Sequence, residues 1–230
     1  WVDLAVRTLK GRRVLVCAVT GFPLGASTTD SKVFEAVGAL SGGAHEIDMV
    51  LNVGWLRAGA VGQVQDEIAA IVHECRGRGA VTKVILETGL LTAQEMATAA
   101  RAALAAGAGF VKTSTGFGPT GATPADVEAL RRVVGGRMGI KAAGGIRDLA
   151  AVQALVAAGA TRIGTSAGLR IVDEARRLLV AFIPPPRPEP LPAPVSQQAP
   201  GPEAPSGNFE IQLGAWSDEA LARAGFERFI

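Results

Sequence analysis

Two lysines stand in places where an ammonium group is costly. Lys112 interrupts the apolar run Gly109-Phe110-Val111-Lys112-Thr113-Ser114-Thr115-Gly116, and Lys141 holds the same place in Gly139-Ile140-Lys141-Ala142-Ala143-Gly144-Gly145. A lysine in such a run must pair with a carboxylate or give up its proton. Paired, Lys112 is a structural cation; deprotonated, it is a nucleophilic amine that condenses with a carbonyl to a Schiff base. Like charges on neighbouring strands repel, so the more buried of the two lysines is expected to lose its proton first. Asp48, in Glu46-Ile47-Asp48-Met49-Val50, adds a carboxylate. It either steadies an ammonium as a plain salt-bridge partner or passes a proton to and from substrate oxygen through water.

Other residues carry weaker signals. Gly144-Gly145-Ile146 and Gly164-Thr165-Ser166-Ala167-Gly168 close two successive runs. Backbone N–H groups in such turns, with a helix N-terminus behind them, make a phosphate site; turn glycines with no ligand are the alternative. Lys83 and Glu87 face the same reading as each other, an ion pair inside the fold, and a structural role is expected for both. His45 and His73 fit a loop edge and a helix face, with solvated side chains. Cys17 and Cys75 have no metal-ligand spacing, so no metal site is expected and a reduced, cytoplasmic setting is the default.

The elements that must position these groups repeat along the chain. Short β-type runs begin at Val14, Glu46, Val81, Gly109, Gly139 and Thr161, each 22 to 35 residues after the last, and each closes on glycine. Helix signals lie between them: Thr92 and Glu95 have capping-box spacing, Thr123 precedes Pro124, and Asp148 precedes LAAVQALVAAG. The order is βα, repeated. Runs that are apolar on successive residues suit parallel strands covered on both faces and joined by right-handed crossovers. An open doubly wound sheet and a (β/α) barrel both satisfy this order. The barrel is favoured because polar residues gather at the C-terminal ends of several runs and no GxGxxG follows the first. Six strands are counted instead of eight, and the chain begins with Trp1, so the start is read as a cut edge where two βα units belong.

With 230 residues, 48% of them hydrophobic, the chain has material for one sizeable core. The net charge of +2 is made of scattered residues, which argues against nucleic acid or an anionic membrane as partner. No apolar run approaches the roughly 20 residues that span a bilayer. Ten of the thirteen prolines fall between Pro184 and Pro205, a density that excludes helix and sheet ladders. Three segments follow: a barrel domain over 1–183, a proline-rich disordered linker over 184–207, and a short partial segment over 208–230.

The motifs taken together resemble one family. Gly21-Phe22-Pro23-Leu24-Gly25-Ala26, Glu46 to Val50, Val84-Ile85-Leu86-Glu87-Thr88-Gly89-Leu90-Leu91, Phe110 to Gly118, Lys141 to Ile146 and Arg162 to Ser166 are similar, in order, to motifs of the deoxyribose-phosphate aldolases. These are class I aldolases with the α/β TIM (β/α)8 barrel fold, of which about six of eight βα units are present here. The resemblance implies that Lys112 forms the imine, Lys141 depresses its pKa, and Asp48 joins the proton relay. It implies reversible cleavage of 2-deoxy-D-ribose 5-phosphate to glyceraldehyde 3-phosphate and acetaldehyde, in deoxyribonucleotide catabolism, with no metal or organic cofactor. Gly116, Gly144, Gly145 and Ser166 would hold the phosphate, with Thr115 lining the pocket. The implied partners are therefore a small phosphorylated sugar and an aldehyde, with homodimerisation an open option.

Several departures stand beside the resemblance. Family members begin with two further βα units, including an acidic strand-end motif, so the strands from Val14 and Thr161 are expected to keep open edges. Ala167 replaces the second serine of the usual phosphate-binding pair and is expected to donate through its backbone N–H. The chain has no tyrosine, whereas some members use a C-terminal one for proton transfer. The segment from Asn208 is foreign to the family, and Phe209-Glu210-Ile211-Gln212-Leu213-Gly214-Ala215-Trp216-Ser217 weakly resembles the opening of a SPOR peptidoglycan-binding domain. The rival readings are a catalytically impaired fragment or fusion whose tail is a binding module, and another phosphate-binding barrel enzyme whose lysine is structural.

Overall fold

The computed structural model describes residues 1–182 and 209–212. Each of the six expected runs forms a strand: β1 (Val14–Thr20), β2 (Glu46–Val50), β3 (Val81–Ile85), β4 (Phe110–Lys112), β5 (Gly139–Ala143) and β6 (Arg162–Gly164). All pair in parallel with their chain neighbours. The crossovers carry α2 (Thr29–Ser41), the short α3 (Val53–Arg57) with α4 (Val61–Arg76), α5 (Ala93–Ala105), α6 (Pro124–Val134) and α7 (Leu149–Ala157). A further helix, α1 (Val2–Thr8), precedes β1, and α8 (Gly168–Phe182) follows β6. The helix starts obey their local chemistry: Thr92 and Glu95 complete a capping box, Thr123 accepts from Asp126 N ahead of Pro124, and Asp148 accepts from Ala151 N. Helix α1 has no such signal, because Trp1 at its N-cap offers no side-chain acceptor.

Strand order decides between the two architectures. In a doubly wound sheet the order reverses at a switch point. Here it runs β6-β5-β4-β3-β2-β1 without reversal, as in a barrel. The sheet is also curled. Four strand steps separate β2 from β6, roughly 19 Å across a flat sheet at about 4.8 Å per step. Yet Arg162 on β6 places Nη1 2.7 Å from both carboxylate oxygens of Glu46 on β2. Only a sheet bent into a half-barrel brings those side chains together.

The pleat sorts the residues onto two faces. Ile47, Met49, Val84, Val111 and Ile140 pack outward against the helices, in one cluster with Ile68, Ile71, Ala99, Val127 and Leu130. The alternate positions turn inward and carry Glu46, Asp48, Lys83, Lys112 and Lys141, all buried. Both faces of β2 are covered, so all five of its residues are buried.

A seventh strand, β7 (Phe209–Gln212), lies parallel to β1. This corrects the expected open edge at Val14; among the described residues β6 keeps a single strand neighbour. The proline-rich linker expected at 184–207 lies outside the described residues, as does the SPOR-like segment apart from 209–212.

One buried ion pair carried no sequence signal. Lys32 of α2 places Nζ 2.7 Å from Glu67 Oε1 on α4 and donates to the carbonyls of Gly25 (2.8 Å) and Val50 (2.9 Å). Glu67 Oε2 accepts from Asn52 N at 3.1 Å. Burial pushes the Lys32 ammonium down and the Glu67 carboxyl up, and each partner partly offsets the other's shift. The pair ties the loop after β1 to the end of β2. Lys32→Met leaves the Glu67 charge buried and unpaired, so urea denaturation is expected to show a loss of about 3–5 kcal/mol. Lys32→Met with Glu67→Leu is expected to recover much of that loss; a single variant as stable as the parent would refute the anchoring role.

Candidate active site

Lys112 is the last residue of β4, and its register partner on β5 is Lys141; Asp48 on β2 is likewise the partner of Lys83 on β3. Side chains in register on parallel neighbours share a face, so all four project into the half-barrel. Asp48 Oδ2 accepts from Lys112 Nζ and from Lys141 Nζ, each at 2.9 Å, and Asp48 Oδ1 accepts from Lys83 Nζ at 2.9 Å. Cys17 of β1 donates its thiol to Oδ1 at 3.2 Å, and Lys83 Nζ lies 3.4 Å from the sulfur. Behind this group Lys83 also pairs with Glu46 Oε2 at 2.6 Å. The Arg162 guanidinium beyond it stacks 4.6 Å over the Phe110 ring. Lys112 and Asp48 are fully buried, and Lys141 is 1% exposed.

Burial sets the electrostatics. It opposes charge on Asp48, but the surrounding ammonium groups, Lys141 first and then Lys112 and Lys83, outweigh it and hold the carboxyl well below its ordinary range. Asp48 is therefore ionised at neutral pH. For Lys112, burial drives the ammonium below its usual value of 10.5; Asp48 pulls it back up, and Lys141 pushes it down again. A single carboxylate oxygen serves two lysines here. The arrangement favours loss of a proton from one of them and gives the resulting amine a fixed position.

The C-terminal ends of β4, β5 and β6 are stitched together above the lysines. The Thr113 hydroxyl exchanges hydrogen bonds with Ala143 O (3.0 Å) and Ala143 N (3.1 Å), and Ala122 N donates to Gly144 O at 3.1 Å. Thr165 Oγ1 donates to Ile146 O at 2.7 Å and accepts from Ala167 N at 2.9 Å. Gly144 is a place where glycine is required. Its φ is +93°, and a β-carbon there would stand 3.1 Å from Gly121 Cα and 3.3 Å from Ser114 Cβ. Gly116 (φ +91°) and Gly145 (φ +75°) are exposed, and a β-carbon on either would meet nothing within 4 Å. Ser166 is exposed on the same rim.

The structure thus brings Lys112, Lys141 and Asp48 into contact and places Gly116, Gly144, Gly145 and Ser166 at adjoining strand ends. Three expectations change. Lys83 pairs with Asp48 and Glu46, whereas Glu87 turns away in a left-handed conformation (φ 55°). Its Oε2 accepts from Thr115 N at 3.1 Å and from the Thr115 hydroxyl. Thr115 is consequently held from behind by a carboxylate. The Ala167 N–H, expected to face a ligand, is directed to Thr165. His45 and His73 are exposed as expected, with His45 Nδ1 accepting from Val16 N. Cys17 and Glu46 were missed, although two acids at i and i+2 in the apolar run Glu46 to Val50 were a usable signal for a polar inner face.

Comparison with known proteins agrees with this geometry. Residues 7–174 match the model of the DeoC/LacD family aldolases. A deoxyribose-phosphate aldolase of Geobacillus sp. (strain WCH70) is 50% identical over 173 residues, 75% of this chain and 77% of the relative. One from Thermoanaerobacter sp. (strain X514) is 51% identical over 179 residues, 77% of this chain and 80% of the relative. The solved structure of the aldolase QR15 superposes with a TM-score of 0.74 at 41% identity, covering 79% of this chain and 80% of that one. No helix among the described residues is long and apolar enough to cross a membrane. With its six-stranded half-barrel and its lysine pair on one carboxylate, the chain belongs to the DeoC/LacD family of aldolases.

Proposed function

We propose that the chain is a Schiff-base aldolase that cleaves 2-deoxy-D-ribose 5-phosphate reversibly to glyceraldehyde 3-phosphate and acetaldehyde, within deoxyribonucleotide catabolism. The observation that carries the reading is the pair of contacts from Lys112 Nζ and Lys141 Nζ to one oxygen of Asp48. The relatives from Geobacillus and Thermoanaerobacter bear the name of this activity.

Lys112 is the nucleophile. Its neutral amine adds to the C1 carbonyl of the open-chain sugar, and loss of water leaves an iminium. Removal of the C3 hydroxyl proton then breaks the C2–C3 bond, with the electron pair moving into the iminium to form an enamine. Glyceraldehyde 3-phosphate departs, the enamine takes a proton at C2, and water releases acetaldehyde and the amine. Lys141 stays protonated and lowers the Lys112 pKa. Asp48, too acidic to retain a proton, hands protons between substrate oxygen and water. The phosphate lies over the backbone of Gly116, Gly144 and Gly145 with Ser166 beside it, and Thr115, fixed by Glu87, lines the approach.

Incubation with acetaldehyde and borohydride is expected to leave an ethyl group on Lys112, located by peptide mass spectrometry; a different lysine, or none, would overturn the assignment. Lys112→Leu is expected to reduce cleavage on the order of a thousandfold or more with the circular dichroism spectrum retained. Collapse of that spectrum would mark the lysine as structural.

The pH dependence has a definite sign. Imine formation needs the neutral amine, so its rate falls as pH drops through the lowered Lys112 pKa. Lys141→Leu removes a cation that depresses that pKa, and the acidic limb is expected to move to higher pH. Asp48→Asn removes the anion that raises it, and the limb is expected to move to lower pH. Trapping rates with cyanoborohydride, measured against pH, check both directions; equal limbs in all three proteins would remove Lys141 and Asp48 from the tuning.

A further inference from the structure

Strand β7 lies outside the stretch that matches the aldolase family, yet it pairs with a strand of the site. Among the six strands of the half-barrel, β1 is terminal and is bonded to β2 on one side. Its other side presents a row of N–H and C=O groups that need a partner. Phe209–Gln212 supplies one over four consecutive register positions, from Val14 with Phe209 to Cys17 with Gln212.

Three observations favour the chain's own tail as the occupant. A parallel pairing requires a connection of a dozen residues or more. Residues 183–208 provide 26, with a contour of up to about 90 Å. The tenfold run of prolines from Pro184 to Pro205 lacks the N–H donors a ladder needs, which leaves the first β-forming, proline-free stretch after it, Phe209-Glu210-Ile211-Gln212, to take the edge. The pairing also ends at a residue of the site: Cys17, opposite Gln212, is the one whose thiol reaches Asp48.

We propose that the free edge of β1 is a strand-acceptor site and that Phe209–Gln212 of the same chain fills it, making the tail a wall of the half-barrel that braces the strand carrying Cys17. The inference concerns the sheet edge and is independent of the reaction at Lys112.

Hydrogen exchange on the full 230-residue chain tests it. Alternate residues of a strand point their N–H groups the same way, so prolines at two successive positions remove a donor toward β1 whichever parity faces it. In the double variant Glu210→Pro/Ile211→Pro, the amides of residues 14–17 are expected to exchange at least about tenfold faster, with those of β3 to β5 unchanged. Equal exchange in both proteins would overturn the proposal. A second variant reads the pairing directly without weakening it. With Val14→Cys and Phe209→Cys, mild oxidation is expected to give a monomer containing the linked peptides 14 and 209, since neighbouring strands lie within disulfide reach. No link would overturn the pairing, and a link found only between chains would overturn its occupation by the chain's own tail.

Discussion

Two lysine ammonium groups converge on one carboxylate oxygen, Oδ2 of Asp48, inside a fold that offers little solvent to either. The convergence depends on backbone parity. Lys112 and Lys141 are register partners, and Asp48 sits two strands away on the same face. A slip of one residue in β4 would send Lys112 into the helix layer beside Val111 and leave Asp48 with one lysine fewer. The outward residues Val111 and Ile140, fully buried against the helices, are what prevent that slip: moving them inward would exchange a packed apolar face for a charged one. Core packing on one side of the sheet thus fixes charge placement on the other.

The same division explains how the rim is held. Above the lysines the backbone leaves strand geometry, and side-chain hydroxyls and carboxylates take over the hydrogen bonding. Thr113, Thr165 and Glu87 each satisfy backbone groups of a neighbouring loop. Gly116 and Gly145 are then left with open space beside them, which a phosphate can approach closely. Lys32 does comparable work below, holding the carbonyls of Gly25 and Val50 from a position in which no solvent competes. These tethers are spread over separate loops, so the rim is assembled from several strand ends, as a barrel site requires.

Much of this was legible in the sequence, and the part that was follows from one physical fact. A charged residue in an apolar run is conspicuous, so Lys112, Lys141 and Asp48 were visible, and so were the six strands that hold them. Their common face was an inference from the resemblance and the order of the runs, which the register and contacts bear out. What was missed lies on amphipathic helices or depends on tertiary partners. Lys32 and Glu67 read as ordinary solvated residues of α2 and α4, since nothing local distinguishes a helix lysine that faces inward from one that faces out. Lys83 seemed to suit Glu87, four residues on in the same run. Glu87 instead lies beyond the end of β3, where the backbone turns left-handed and carries it toward Thr115. The β1 edge appeared open because a strand partner two hundred residues away leaves no periodicity in β1 itself.

The curl of the sheet raises a different question, since an ion pair spans it. Glu46 is 2% exposed and Arg162 about a fifth exposed, so Glu46 in particular pays a desolvation cost that the pair only partly returns. An apolar contact across the interior would stabilise as much. A bidentate guanidinium on a carboxylate, however, constrains direction as well as distance, and here Phe110 stacks on the guanidinium's face while Lys83 takes the remaining reach of Glu46. Glu46 and Asp48 leave β2 on the same side, two residues apart, and Lys83 bridges them. The contact that bends β6 toward β2 is therefore joined, through one lysine, to the carboxylate that sets the charge of Lys112. Curvature and nucleophile are coupled through Lys83, which explains why the interior of this half-barrel is built from ion pairs where hydrocarbon would have filled the same space.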